Sequence, residues 1–354
     1  MVNTDNRRPG TPSPAGAVPQ GILARARASA ARRPDLLRTP GLTPRQRVAI
    51  WIRRHGVAPY LLLLPATAVV GWLVLWPAIQ IAIYSFQDYG LPQIAGVEPT
   101  RWVGFANYSE IFRDPSFWAA LRLTLVFSVV VVPLTLIVGT LVGLLLAQLG
   151  KKMATFVSTA ALLAWGTPAV SASVIFAWLT SPDGGIVDWT LSKLPSWLGG
   201  GPQWAGFSWD NAVLPAYTVL TVMIVWTSFP FVAVTVLAGL RTVPAELLEA
   251  ARVDGASAWR AFWSITYPLL KPVFLVLLLL SIIWDFGIFT QPFIITGAPG
   301  NRDEFNLGLY EYFQAFTQPA RYGVGSAVAF ILTIILLIIT VGYVRASIKQ
   351  GAFR

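Results

Sequence analysis

The chain has 354 residues, 55% of them hydrophobic and only 12% charged, with a formal net charge of +10, whereas a soluble globular protein carries charge on roughly a quarter of its residues. A mean hydropathy of +0.62, gathered into apolar runs long enough to cross about 30 Å of hydrocarbon, defines an all-α polytopic membrane protein and excludes a soluble enzyme. Absence of Cys and a single histidine, His55, exclude a disulfide scaffold, a thiolate-held metal, a cysteine nucleophile, a histidine zinc site and a histidine-based triad.

Residues 1–44 are rich in Pro, Ala, Gly and Arg and poor in large apolar side chains. They cannot bury enough surface to offset the entropy of ordering and are expected to form a disordered, basic arm. Over residues 45–56 basic side chains flank Val48, Ile50, Trp51 and Ile52, the pattern of a short amphipathic anchor in the headgroup layer. A membrane body, residues 57–345, follows, and residues 346–354 form a tail. Six spans are predicted, at about Val57–Tyr84, Phe117–Leu149, Thr155–Leu179, Ala212–Leu240, Leu269–Ile295 and Tyr322–Val344. The second is longer than a bilayer requires, so it either starts outside the membrane near Arg122 or tilts. Within it Gly139 and Gly143 make a small-xxx-small pair, expected to be a helix-packing face. The connections Gln87–Ser116 and Thr180–Asn211 are rich in Trp, Tyr, Gly and Pro and are expected to form interfacial turns and short helices.

Basic residues stay on the cytoplasmic side, so their distribution sets orientation. The arm, the Lys151–Lys152 connection, the stretch Arg241–Lys271 and the tail hold 20 basic and five acidic residues; the opposite connections hold six and ten. Both termini of this multi-pass membrane protein are therefore expected in the cytoplasm. The positive charge reads as topology and membrane-lipid contact, with no nucleic-acid partner.

The cytoplasmic stretch between the fourth and fifth spans is the most patterned part of the chain. Pro244 suits a first helical position, Glu246 sits in the first turn where the helix dipole favours an anion, and Leu247, Leu248, Ala250 and Ala251 are good helix formers. Asp254-Gly255 breaks the helix, and a second short helix carries Trp259, Phe262, Trp263 and Ile265 before Pro268 and Pro272 mark re-entry. The small Ala250 and Ala251 beside Glu249 form a face on which another surface could come close, with an acidic handle for a basic partner. An ordinary helical hairpin with no partner fits the same pattern.

Glu249-Ala250-Ala251, Asp254-Gly255-Ala256, Ile265, Pro268 and Pro272 together resemble the EAA loop of permease subunits in bacterial ABC importers, the maltose-type, binding-protein-dependent sugar permease family. Trp102-Val-Gly-Phe-Ala-Asn-Tyr108, Phe117-Trp118, Thr296-Gly297, Pro299-Gly300, Ala315-Phe316 and Gly323-Val-Gly-Ser-Ala327 extend the resemblance over roughly 57–345. Tyr267, where the family usually has Leu, and Leu123, where Asn is common, depart from it. The resemblance implies six spans with a coupling helix between spans four and five, docking on a cytoplasmic ATPase through Glu246, Glu249, Ala250, Ala251, Asp254, Gly255 and Ala256. It also implies a second permease subunit, a different chain; two ATPase subunits carrying ATP and Mg; and an extracytoplasmic binding protein delivering a sugar or related solute. No phosphate-binding loop occurs in this chain, so this chain is expected to bind no cofactor and to be no enzyme.

An intramembrane carboxylate is disfavoured by about 2.5–3.5 kcal/mol on insertion scales, so Asp285 is expected to face protein or water. Trp284, Phe289 and Gln291 lie within two turns of it, and Trp226, Thr227 and Ser228 precede Pro230 in the fourth span. Aromatic rings with a few hydrogen-bonding groups suit sugars, which makes these seven the candidate solute pathway. The other reading of the same residues is that Asp285 pairs with a polar group of the second permease while the tryptophans are packing or belt residues. A secondary transporter working alone would show internal repeats with matching broken helices, and a membrane enzyme would cluster carboxylates at one surface. The sequence has neither.

Overall fold

The computed structural model describes Thr43 and residues 58–297, 304–317 and 319–349. The predicted interfacial segment 45–56 and, apart from Thr43, the arm lie outside the described residues. Two compact units divide after Trp76.

In the first unit α1 (Ala58–Val70) gives way to a π-helical turn, Gly71–Leu75, where Trp72 stacks on Trp76 with ring centres 5.7 Å apart. Its apolar side chains are exposed, as suits a surface made for lipid.

The second unit starts within α2 (Trp76–Tyr84). Beyond it β1 (Gln87–Asp88) pairs antiparallel with β2 (Arg101–Trp102) across the short α3 (Leu91–Ile94), and α4 (Ala106–Arg113) follows. Asn107 Nδ2 donates to the Ser85 and Gln87 carbonyls, both at 2.9 Å, and Tyr108 Oη donates to Ser85 Oγ at 2.7 Å, so the buried polar groups of this connection satisfy one another. Asp114 caps α5 (Pro115–Gln148) by accepting from Ser116 N at 2.9 Å. At 34 residues and about 1.5 Å per residue, α5 is longer than a bilayer crossing needs. It lies against α9 (Val213–Leu240) with Gly139 and Gly143 at the contact, which is the packing face the sequence pair indicated.

The third apolar stretch is not one straight span. It consists of α6 (Lys151–Trp165) and α7 (Ala169–Leu179), inclined at 90° to each other. Gly166-Thr167-Pro168 is the cause: Gly166 ends α6, and Pro168 has no N–H for a continuing ladder and restricts the residue before it. The loop that follows holds α8 (Ile186–Lys193) and two 3₁₀ turns, tied by Trp209 Nε1 donating to the buried Asp188 at 2.6 Å and by Trp204 stacked on Trp209.

After α9 come α10 (Ala245–Val253) and α11 (Ala258–Ala261), and α11 runs through a π-helical turn, Phe262–Thr266, into α12 (Tyr267–Phe286). The predicted second short helix of the loop and the fifth span are therefore one continuous helical stretch. The π turn, closed by Tyr267 N–H on the Phe262 carbonyl, shifts the ladder just where Pro268 has no donor to give it. The predicted fifth span also stops early: α12 ends at Phe286 and a break precedes α13 (Thr290–Ile295). Asn306, cap of α14 (Leu307–Phe316), holds that break by donating from Nδ2 to the Ile288 carbonyl at 2.6 Å. The last helix, α15 (Tyr322–Lys349), continues past the predicted end of the sixth span.

Among the described residues five helices are long and apolar enough to cross a membrane, or up to six if α6 and α7 count as one bent span. One core joins α4, α5, α14 and α15 around Ile111, Phe117, Phe286 and Leu307; a second joins α5 and α9 around Val131, Leu220 and Met223.

Candidate functional site

The loop between α9 and α12 takes its shape from its glycine. Gly255 has φ +75°, a left-handed conformation that disfavours any side chain. Its N–H donates to the Arg252 carbonyl at 3.0 Å and the Ala256 N–H to the Ala251 carbonyl at 2.8 Å, the paired bonds of a Schellman C-cap. Pro244 serves as the N-cap of α10, one position before the first helical residue predicted for it. Glu246, Glu249, Ala250, Asp254 and Gly255 are exposed, Ala256 is half-buried and Ala251 is buried. The small-residue face is thus split: Ala250 stands beside Glu249 on the open side, and Ala251 lets α10 sit close to its own protein. Val253 and Trp259 next to it are 87% and 71% exposed, an apolar surface with acidic side chains at its edge. The sequence reading left Val253 out of this surface, although a valine one residue before a C-cap was the available signal.

A cavity of about 190 Å³ lies where α6, α7, α9, α12 and α13 meet. Thr227, Ser228, Trp284, Asp285 and Gln291 all line it, so five of the seven residues proposed from sequence come together. The other two do not. Trp226 points away, against Phe176, and Phe289 packs on Tyr312 and Phe293, because the break after Phe286 turns its ring out of the helical register on which the sequence reading relied. Trp165, Thr167, Ala169, Ala172, Met223, Ile224 and Ile288 complete the lining. Those on the bent pair were missed because the third apolar stretch reads as uninterrupted by hydropathy alone; the signal was Gly166-Thr167-Pro168, since irregular backbone at membrane depth occurs where it lines a cavity.

Chemically the cavity has an aromatic wall and a polar floor. Phe231 sits between Trp165 and Trp284, with ring centres 5.3 and 5.5 Å away. Thr227 Oγ1 donates to the Met223 and Ile224 carbonyls at 3.1 and 3.0 Å, leaving its oxygen as an acceptor. Pro230 leaves the Trp226 carbonyl without its helical donor. Asp285 is only 6% exposed and has no hydrogen-bond or ion-pair partner among the described residues. A buried carboxylate in that state awaits either a ligand or water.

The α4–α14–α15 junction is built on charge. Arg321 makes a bidentate ion pair with Glu110, and Tyr310 Oη donates to Asp114 Oδ2 at 2.8 Å. The hydrogen bond from Arg321 holds the Glu110 carboxyl below the usual carboxylate range, whereas burial pushes Glu311, on α14, up to about 7.

Comparison with known proteins gives this geometry its context. The chain is 39% identical over 84% of its length, and 89% of the relative's, to the diacetylchitobiose uptake system permease protein DasB of Streptomyces coelicolor. It is 32% identical over 80% of its length, and 88% of the relative's, to the sulfoquinovosyl glycerol transport system permease protein SmoG of Agrobacterium fabrum. A crystal structure of a bacterial ABC transporter involved in the import of the acidic polysaccharide alginate has the same fold, with a TM-score of 0.68 at 22% identity over 86% of this chain and 99% of that one. Residues 139–351 match the model of the binding-protein-dependent transport system inner membrane component. The chain belongs to that family, as a membrane-spanning permease subunit of an ABC importer.

Proposed function

We propose that this permease moves a sugar or related polyhydroxy solute through the cavity around Asp285. The observation that carries the reading is an almost fully buried carboxylate without a partner among the described residues, in a cavity lined also by Trp165, Trp284, Thr227, Ser228 and Gln291. Carboxylate and amide groups serve hydroxyls, and flat rings serve the CH faces of a sugar. The permease names of relatives support it: diacetylchitobiose and, in Thermococcus litoralis, trehalose/maltose.

In this reading the body over 57–345 crosses the bacterial cell membrane six times, with α6 and α7 as one bent span and both termini cytoplasmic. The 1–44 arm, the 45–56 anchor and the 346–354 tail lie on that side. The loop α10–Gly255–α11 is the coupling element. Glu246 and Glu249 meet a basic rim of an ATPase cleft, Ala250 permits close approach, and the capped turn Asp254-Gly255-Ala256 passes a rigid-body displacement into α12, with which α11 is continuous. ATP and Mg belong to two ATPase subunits, a second and different permease chain closes the pathway, and an extracytoplasmic binding protein supplies the solute.

The experiment is uptake by the assembled transporter in proteoliposomes. Glu249→Ala and Gly255→Pro are expected to insert normally yet lose most ATP-driven uptake, because docking on the ATPase is weakened. Normal uptake in both removes the coupling assignment, and failure of every neutral sugar tested to be taken up removes the solute assignment.

A further inference from the structure

We infer that Asp285 makes the cavity a charge filter, admitting neutral hydroxyl-bearing solutes and turning away anionic ones such as uronates and sulfonates. The inference rests on the carbohydrate reading above and adds the charge class of the solute.

Three observations carry it. The described residues lining the cavity include no Lys, Arg or His, so Asp285 is the one ionisable group among them. The carboxylate has no hydrogen-bond or ion-pair partner among the described residues, and its oxygens are absent from the occluded polar atoms, which include Ser128 Oγ and Thr135 Oγ1; they open into the cavity. The basic residues on the same helices are remote: Lys271 on α12, Arg241 at the end of α9 and Lys152 on α6 each lie 13 or 14 residues along from Asp285, Ser228 and Trp165, which at about 1.5 Å per residue is roughly 20 Å, two Debye lengths at physiological salt.

The other groups are neutral and serve hydroxyls. Thr227 accepts, Ser228 and the Gln291 amide both donate and accept, and the first turn of α7 at Ala169 presents backbone N–H groups. A carboxylate can accept from two adjacent hydroxyls at once. An anionic group seated about 4 Å from the ionised form of that carboxylate, at an effective dielectric near 20, is disfavoured roughly a thousand-fold in occupancy, and no cation among the described lining residues offsets that.

The native chain contains no cysteine, so Ser228→Cys places a single reporter thiol in the cavity. The assembled transporter in membrane vesicles is labelled with a cationic and an anionic methanethiosulfonate of similar size, using the unsubstituted transporter as background. The cationic reagent is expected to react at least tenfold faster, relative to the ratio the same pair shows with free cysteine. Adding Asp285→Asn is expected to bring the ratio back to the free-cysteine value. Thr227→Cys serves as the reporter if Ser228→Cys fails to assemble. Equal rates for the two reagents, or a ratio untouched by Asp285→Asn, overturn the filter. Uptake of neutral sugars and of the matching uronates by proteoliposomes is measured in parallel. Uronate uptake as fast as neutral uptake also overturns the filter, while labelling asymmetry with no neutral sugar transported overturns the carbohydrate reading and leaves the filter standing.

Discussion

Gly139 on α5 faces Val232 on α9 so closely that a Cβ at position 139 would fall 2.5 Å from the valine Cβ, and one at Gly143 would fall 2.9 Å from the Ala233 carbonyl oxygen. The α5–α9 contact thus rests on missing side chains, because small residues let helix backbones approach where lipid supplies no hydrophobic drive.

Gly139→Val should therefore force α5 and α9 apart. Overpacking of a close contact costs about 1–3 kcal/mol, so the purified transporter should melt several degrees lower. Gly287→Ala, where a Cβ meets nothing within 4 Å, should leave the melting temperature within a degree or two. Equal shifts in thermal unfolding would refute the packing argument.

Asn306 performs two bonds at once. Its Nδ2 donates to Ile288 O at 2.6 Å and its Oδ1 accepts from Leu309 N at 2.9 Å. Asn306→Ala removes an N-cap and leaves a buried carbonyl unpaired at the cavity edge, a loss of about 2–4 kcal/mol. Asn306→Asp keeps the cap but not the donor, so it should recover only part of that. Thermal melts of the three proteins, read together with neutral-sugar uptake, check it; identical melts would contradict the assignment.

Two carboxylates near α14 should pull stability in opposite directions with pH. Arg321 lowers the Glu110 value, so the stabilisation from that pair is complete above the ordinary carboxylate pKa and is lost as pH falls through the lower folded value. For Glu311 the folded value is raised to about 7 by burial. The folded chain holds a proton that the unfolded chain releases, so this contribution is full below the ordinary carboxylate range and is lost as pH rises toward 7. Glu311→Gln should raise the melting temperature at pH 8 and change little at pH 5. Glu110→Gln should matter at pH 7 and not at pH 3, and only slightly, since the pair is exposed and such pairs contribute about 1 kcal/mol or less. A Glu311→Gln effect independent of pH would show that its burial does not control the proton.

Gly255→Ala separates strain from contact in the loop. No atom lies within 4 Å of the added Cβ, so the substitution acts only through φ +75°, a strain of about 1 kcal/mol. ATP-driven uptake should fall modestly in Gly255→Ala and far more in Gly255→Pro, whose ring cannot adopt that φ and removes the N–H that bonds Arg252 O. Equal uptake rates in the two variants would contradict a role for the capped turn.

Sequence by itself determined the membrane class, most of the spans, the helix break at Asp254-Gly255 and five residues of the cavity, because hydropathy, capping preferences and an out-of-place carboxylate are local properties of a chain. Only the tertiary structure decided that α6 and α7 meet at 90°, that α11 flows into α12, and that Phe289 and Trp226 leave the cavity to Trp165 and Ile288. Each of these turns on where an unpaired backbone group finds its partner. That partner is a distant residue, such as Asn306 for the Ile288 carbonyl, and its distance through space is not written in the order of the residues.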